Sequence, residues 1–76
     1  MQRYKCHKEV LAAKIEKIEI VLDGDAVLTL DGEKRGCSAF WMKRHNPVVG
    51  GYYVEYQDGY ASFSPAKAFE EGYTRI

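Results

Sequence analysis

Residues 51–73 read GYYVEYQDGYASFSPAKAFEEGY, and this stretch decides the fold. Tyr52 to Tyr56 is rich in aromatic and β-branched residues, which favour a pleated strand. Gln57-Asp58-Gly59 is a turn, because Asp and Gly tolerate the positive φ that a tight reversal needs. Tyr60 to Phe63 is the return strand, so residues 51–63 form a hairpin. Ser64-Pro65 then predicts a helix over 65–71, with a capping hydroxyl followed by proline at the first helical position. Gly72 suits a left-handed stop. Ala66, Phe69 and Tyr73 are expected to face the sheet. A two-stranded hairpin is marginal alone and a two-turn helix needs packing to persist. Residues 10–30 must therefore supply further strands or a helix.

Upstream, VLAAKIEKIEIVL (residues 10–22) fits two patterns. Leu11, Ile15 and Ile18 have helical spacing, whereas Ile18, Ile20 and Leu22 alternate as in a strand. The reading is a strand from about residue 12 to 21, with a bend allowed. The alternative is a helix over 8–16 followed by a strand. Asp23-Gly24 and Asp31-Gly32 are hairpin turns around a strand at 26–30. Residues 33–38 are a weaker strand in which Gly36 suggests a bulge or a close contact. Ser38 caps a helix over about 39–44. Pro47 ends it and pushes Asn46 toward extended geometry. Residues 1–9 are an edge strand or an arm. The expected architecture is α+β in one domain, 1–76. Its sheet is small and mostly antiparallel, with four or five strands, a short central helix and a C-terminal helix. Closure into an SH3-like barrel is left open.

A chain of 76 residues buries a modest core, but 46% hydrophobic and 13% aromatic residues are enough to fold one. Formal net charge is zero, with 11 basic and 11 acidic residues, which argues against a general nucleic-acid binder. The charge is nevertheless segregated. Residues 20–33 carry four acids and no base, whereas 34–47 carry Lys34, Arg35, Lys43 and Arg44 and no acid. No secretory h-region follows Arg3 and Lys5, and no apolar run is long enough to span a membrane. A cytoplasmic protein with Cys6 and Cys37 as free thiols is expected.

Cys6, His7, Cys37 and His45 are the only soft-metal candidates. Their spacing lacks a CxxC knuckle, so no metal and no cofactor is expected. His7 and His45 could serve as an acid–base pair in a small nuclease or hydrolase, with Lys43 or Arg44 holding phosphate. No other catalytic set is evident: Glu70 and Glu71 diverge on a helix, and Gly50-Gly51 is no phosphate loop.

The aromatics carry more information. Tyr52, Val54 and Tyr56 share one strand face, and Tyr53 and Glu55 the other. The tyrosines outnumber what one buried face needs. Trp41, Arg44, Tyr53 and Tyr60 are the candidate partner-binding residues, being of the types that dominate protein interfaces.

The string GGYYVEYQDGYASFSPAKAFEEGY (residues 50–73) resembles the tail of small uncharacterised phage and prophage proteins. YKCHKEVLAAKI (4–15) is similar to their starts. Phe69, Glu70 and Tyr73 match the ending of a domain in longer relatives. The resemblance implies a phage accessory protein acting inside a bacterium on a host or phage protein, and it carries no catalytic residue. The resulting expectation is a non-catalytic binding module with a protein partner, and self-pairing through an edge strand as a further arrangement. The second reading is nucleic-acid binding through Lys34, Arg35, Lys43 and Arg44.

Overall fold

Residues 10–22 form a strand throughout, and this strand organises the molecule. The computed structural model describes residues 1–75. In chain order the elements are β1 (Gln2–Lys5), β2 (Glu9–Leu22), β3 (Asp25–Leu30), β4 (Glu33–Cys37), α1 (Ala39–His45), β5 (Tyr52–Glu55), β6 (Ala61–Ser64), α2 (Ala66–Gly72) and β7 (Thr74–Arg75). The helix over 8–16 is absent. Helical spacing of Leu11, Ile15 and Ile18 is outweighed by strand pairing on both edges of β2.

A straight 14-residue strand would run roughly 43 Å, longer than the molecule's 36 Å greatest extent. β2 must therefore bend. Its ladder with β3 shifts register between Ile15 and Lys17 and again between Ile20 and Leu22, and such bulges kink a strand. The first half of β2 pairs with β1 and with β5, and the second half with β3. The sheet runs β4-β3-β2-β1-β7, with β5 and β6 branching from β2, and every ladder is antiparallel. Five strands match those read from the sequence. β1 settles the status of the N-terminal segment, and β7 is an addition of two residues. Among the described residues no ladder joins β4 to β6 or β7.

Asp23-Gly24 and Asp31-Gly32 are two-residue turns with φ of 52° and 88°, and 48° and 83°. This is the geometry that Asp-Gly was expected to supply. Four local readings are corrected. Gly36 pairs regularly with Val27, and a Cβ there would meet nothing within 4 Å, so it marks neither bulge nor close contact. Asn46 is left-handed (φ 45°, ψ 57°), because as the α1 C-cap its N–H must turn back to the Met42 carbonyl. Ser38 does cap α1, accepting from Trp41 N at 3.1 Å. Ser64 does not cap α2, since its backbone is committed to the ladder opposite Tyr52. Pro65 holds the N-cap position instead. Gly72 is not left-handed; α2 ends in extended Tyr73.

Side chains on the two faces of the sheet enter two cores. Val10, Ala12, Tyr52, Val54 and Phe69 form one, joined by Tyr4, Tyr56, Ala66 and Tyr73. Ala13, Ile15, Leu28, Leu30, Cys37 and Tyr53 form the other, joined by Trp41, Met42 and Phe63. The registers Ala12↔Val54 and Ala13↔Tyr53 place these residues consistently, each pair on one face. α2 covers the first core through Phe69, and α1 covers the second through Trp41. No helix among the described residues is long and apolar enough to cross a membrane.

Candidate functional site

α1 sits over Tyr53 because two of its residues, four apart, share its inner side. Trp41 packs on Tyr53 with ring centroids 5.6 Å apart, and its indole Nε1 donates to the Ala61 carbonyl at 3.1 Å. His45, one turn on, packs against Trp41 at 4.7 Å and edges Tyr60 at 6.2 Å. Tyr60 in turn stacks on Tyr56 at 6.0 Å. The result is a continuous aromatic ridge, Tyr53–Trp41–His45–Tyr60–Tyr56, running from the core to the surface. The loop between β5 and β6 presents its outer end. Tyr56 N donates to the Tyr60 carbonyl, Gly59 adopts φ 91°, and Asp58 accepts from Tyr60 N at 2.9 Å.

The four aromatic-surface candidates are thus unequal. Tyr60 is 48% exposed, Arg44 is exposed, and Trp41 is half-buried with its N–H used inside the fold. Tyr53 is 6% exposed and supports the ridge from below, within the second core. The physical reason is that both sheet faces are covered, so the face opposite Tyr52 and Val54 is a second core rather than a free surface. Burial pushes the Tyr53 hydroxyl's pKa up, and the Arg35 guanidinium, 5.7 Å from the ring, opposes the rise. Tyr52, in the other core, is pushed up to about 12 by burial first and then by its hydrogen bond to Glu70 Oε2 at 2.8 Å.

The basic segment does not assemble into one free cationic set. Arg35 pairs with Glu55 at 3.4 Å and Glu33 at 3.8 Å. Lys34 is its strand neighbour and so points to the other face of β4. Lys43 and Arg44 lie exposed in the last turn of α1, where cations complement the helix dipole.

His7 is exposed in the β1–β2 turn, whereas His45 is packed among aromatics, and no hydrogen bond joins them. Cys6 is exposed and Cys37 buried, both as free thiols. Among the described residues no three His, Cys, Asp or Glu side chains are grouped to hold a metal ion.

His45 has a measurable consequence. Its Nε2 is buried without a hydrogen-bond partner, and burial, then the adjacent Arg44 charge, holds its pKa below the ordinary 6.5. The unfolded chain therefore takes up this proton at higher pH than the folded one. The contribution of neutral His45 is complete above the unfolded pKa and is lost as pH falls through the folded value. We expect the urea midpoint to drop as pH falls below about 6.5, and His45→Gln to flatten that drop. Glu33 and Glu70, both held below the usual carboxylate range, lose their contributions only at lower pH.

Sequence reasoning missed His45 and Tyr56 as ridge members. The Trp41–His45 spacing of four was the available signal. It also missed Phe40, which is largely exposed on the outer side of α1 with Arg44 one turn on.

No protein-family model matches the chain, and no match was found among curated protein sequences. The chain is similar to a solved structure, the NMR solution structure of the monomeric form of the phage L decoration protein. The two are 33% identical, with a TM-score of 0.75 over 95% of this chain. This chain spans 57% of the length of that protein and is similar to that part of it in fold and sequence.

Proposed function

We propose that this chain is a non-catalytic protein-binding module of the decoration type, which attaches to a phage particle. The observation that carries this reading is the likeness to the phage L decoration protein, which extends over 95% of the chain. The phage and prophage resemblance of residues 50–73 agrees with it, and the decoration-protein likeness narrows the expected target from a host or phage protein to the particle. The attaching surface is the outer side of α1 with the β5–β6 loop. There Tyr60 is held between His45 and Tyr56, and Arg44 rides on α1, which Trp41 anchors on the buried Tyr53 ring. Aromatic and arginine side chains held in this way give large contact area at little entropic cost. In this reading the protein acts on particles assembled in the cytoplasm, where Cys6 and Cys37 stay reduced.

Co-sedimentation with phage particles tests the reading. Arg44→Ala and Tyr60→Ala, each with an unchanged unfolding midpoint, are expected to weaken binding by roughly fivefold to thirtyfold. Unchanged binding by both would move the interface elsewhere. Sedimentation equilibrium of the same preparations reports whether a single chain or an edge-paired dimer attaches; β4, β6 and β7 each pair on one side only among the described residues.

A further inference from the structure

Beyond Ile18 the β2–β3 ribbon carries apolar side chains that nothing in the fold covers. Ile20, Val21 and Leu22 are 64%, 58% and 70% exposed, and they are consecutive. The β2–β3 register shifts between Ile20 and Leu22, so the alternation of faces is broken there and the three apolar side chains crowd one end of the ribbon. α1 begins against the same turn. Ala39 N donates to Asp25 Oδ1 at 2.7 Å, and a Cβ on Gly24 would stand 3.1 Å from the Ala39 Cβ. Phe40, the next residue, is 75% exposed. Phe40 and Arg44 are four residues apart and share one side of α1. The apolar hairpin end is therefore continuous with the surface proposed above. Single exposed apolar residues are ordinary, but a contiguous set on a projecting hairpin marks a contact surface.

The charge on the hairpin end defines its partner there, the exposed cations Lys43 and Arg44 lying in the last turn of α1. Residues 16–25 carry four carboxylates and one lysine. Lys17 is paired with Glu19 at 3.6 Å, and Asp25 holds the start of α1. Glu16 and Asp23 form no ion pair among the described residues. An anionic lipid surface would repel such an end. A protein depression with lysine or arginine at its rim complements it in shape and charge.

We propose that the β2–β3 hairpin end, Ile20–Leu22 with Phe40, is the apolar plug of the docking surface and seats in a basic-rimmed depression on a protein. This rests on the decoration-type reading. The probes are phage L particles prepared without their own decoration protein, and phosphatidylcholine vesicles. The variants are Val21→Asn/Leu22→Asn, Phe40→Asn, Asp23→Lys, and Lys67→Glu on α2 as a control, each compared at a matched unfolding midpoint. The expected result is wild-type and Lys67→Glu binding to particles, and at least roughly tenfold weaker binding by the hairpin and Phe40 variants. Asp23→Lys should weaken binding as well, and added salt should weaken the wild type. If the wild type does not bind particles, the decoration-type reading fails and the plug with it. If the wild type binds and the hairpin and Phe40 variants bind equally, the plug alone is overturned. Hairpin-dependent binding to vesicles but not particles would make the end a lipid anchor and overturn the protein seat.

Discussion

Phe69→Ala is expected to destabilise the fold by about 3–5 kcal/mol. Phe69 is 1% exposed, and its ring lies 4.2 Å from Tyr52, 4.5 Å from Tyr73 and 4.8 Å from Tyr4. Stacked and edge-to-face contacts of this kind add to simple burial. α2 is only seven residues long, so this one side chain supplies most of its attachment. A domain of this size has a total stability of about 4–11 kcal/mol. The variant should therefore lose from about a quarter to all of that stability. Urea titration followed by tyrosine and tryptophan fluorescence measures it. A loss below about 1 kcal/mol would mean that the three tyrosines close over the gap, and that Phe69 does not anchor the helix.

Gly51→Ala is the second large effect, and it arises from crowding rather than from a cavity. A Cβ at residue 51 would stand 2.3 and 2.5 Å from Phe63 ring carbons and 3.0 Å from the Ser64 carbonyl oxygen. Gly51 cannot retreat, because its carbonyl accepts from Ile15 N at 2.8 Å. Overpacking of this kind costs about 1–3 kcal/mol and occasionally more; we expect the upper end. Adding Phe63→Leu to Gly51→Ala should recover part of the loss, a coupling that a double-mutant cycle reads directly. Gly36→Ala is the matching control, since the space around Gly36 is open. If both glycine variants cost the same, the Phe63 contact does not explain the effect.

The parts of the fold that were legible in the sequence are those decided by local chemistry. Asp23-Gly24 and Asp31-Gly32 specify their turns within two residues, and Ser38 specifies the start of α1, because no distant group competes for those positions. Ser64 carries the same capping chemistry and does not use it. Its backbone is held by Tyr52 across the ladder, a partner twelve residues away. Asn46 shows the same conflict: the preference before proline yields to closing α1. The site was legible in its residue types and less so in their placement. An aromatic excess was plain, but assigning Tyr53 to a surface required assuming that only one sheet face is covered. Helix α1 covers the other. The run Ile20-Val21-Leu22 before a turn was visible. It breaks the alternation that a half-buried strand should show, and that irregularity was the unused signal.

The placement of tyrosines on both sides of β5 has a consequence for how that strand finds its partner. In most half-buried strands a one-residue slip is rejected because it drives polar side chains inward. A slip of β5 would exchange Tyr52 for Tyr53 and leave an aromatic facing each core, so polarity opposes it only through Glu55, which would take the place of buried Val54. A single residue of this strand therefore reads polarity. The glycine pair ahead of the strand adds a steric selection of the frame. Gly50 N donates to the Ile15 carbonyl at 2.9 Å, Ile15 N donates to the Gly51 carbonyl, and only a residue without a side chain fits beside Phe63. The pair acts as an indexing notch: it lets an aromatic-rich strand carry bulk on both sides while admitting a single alignment.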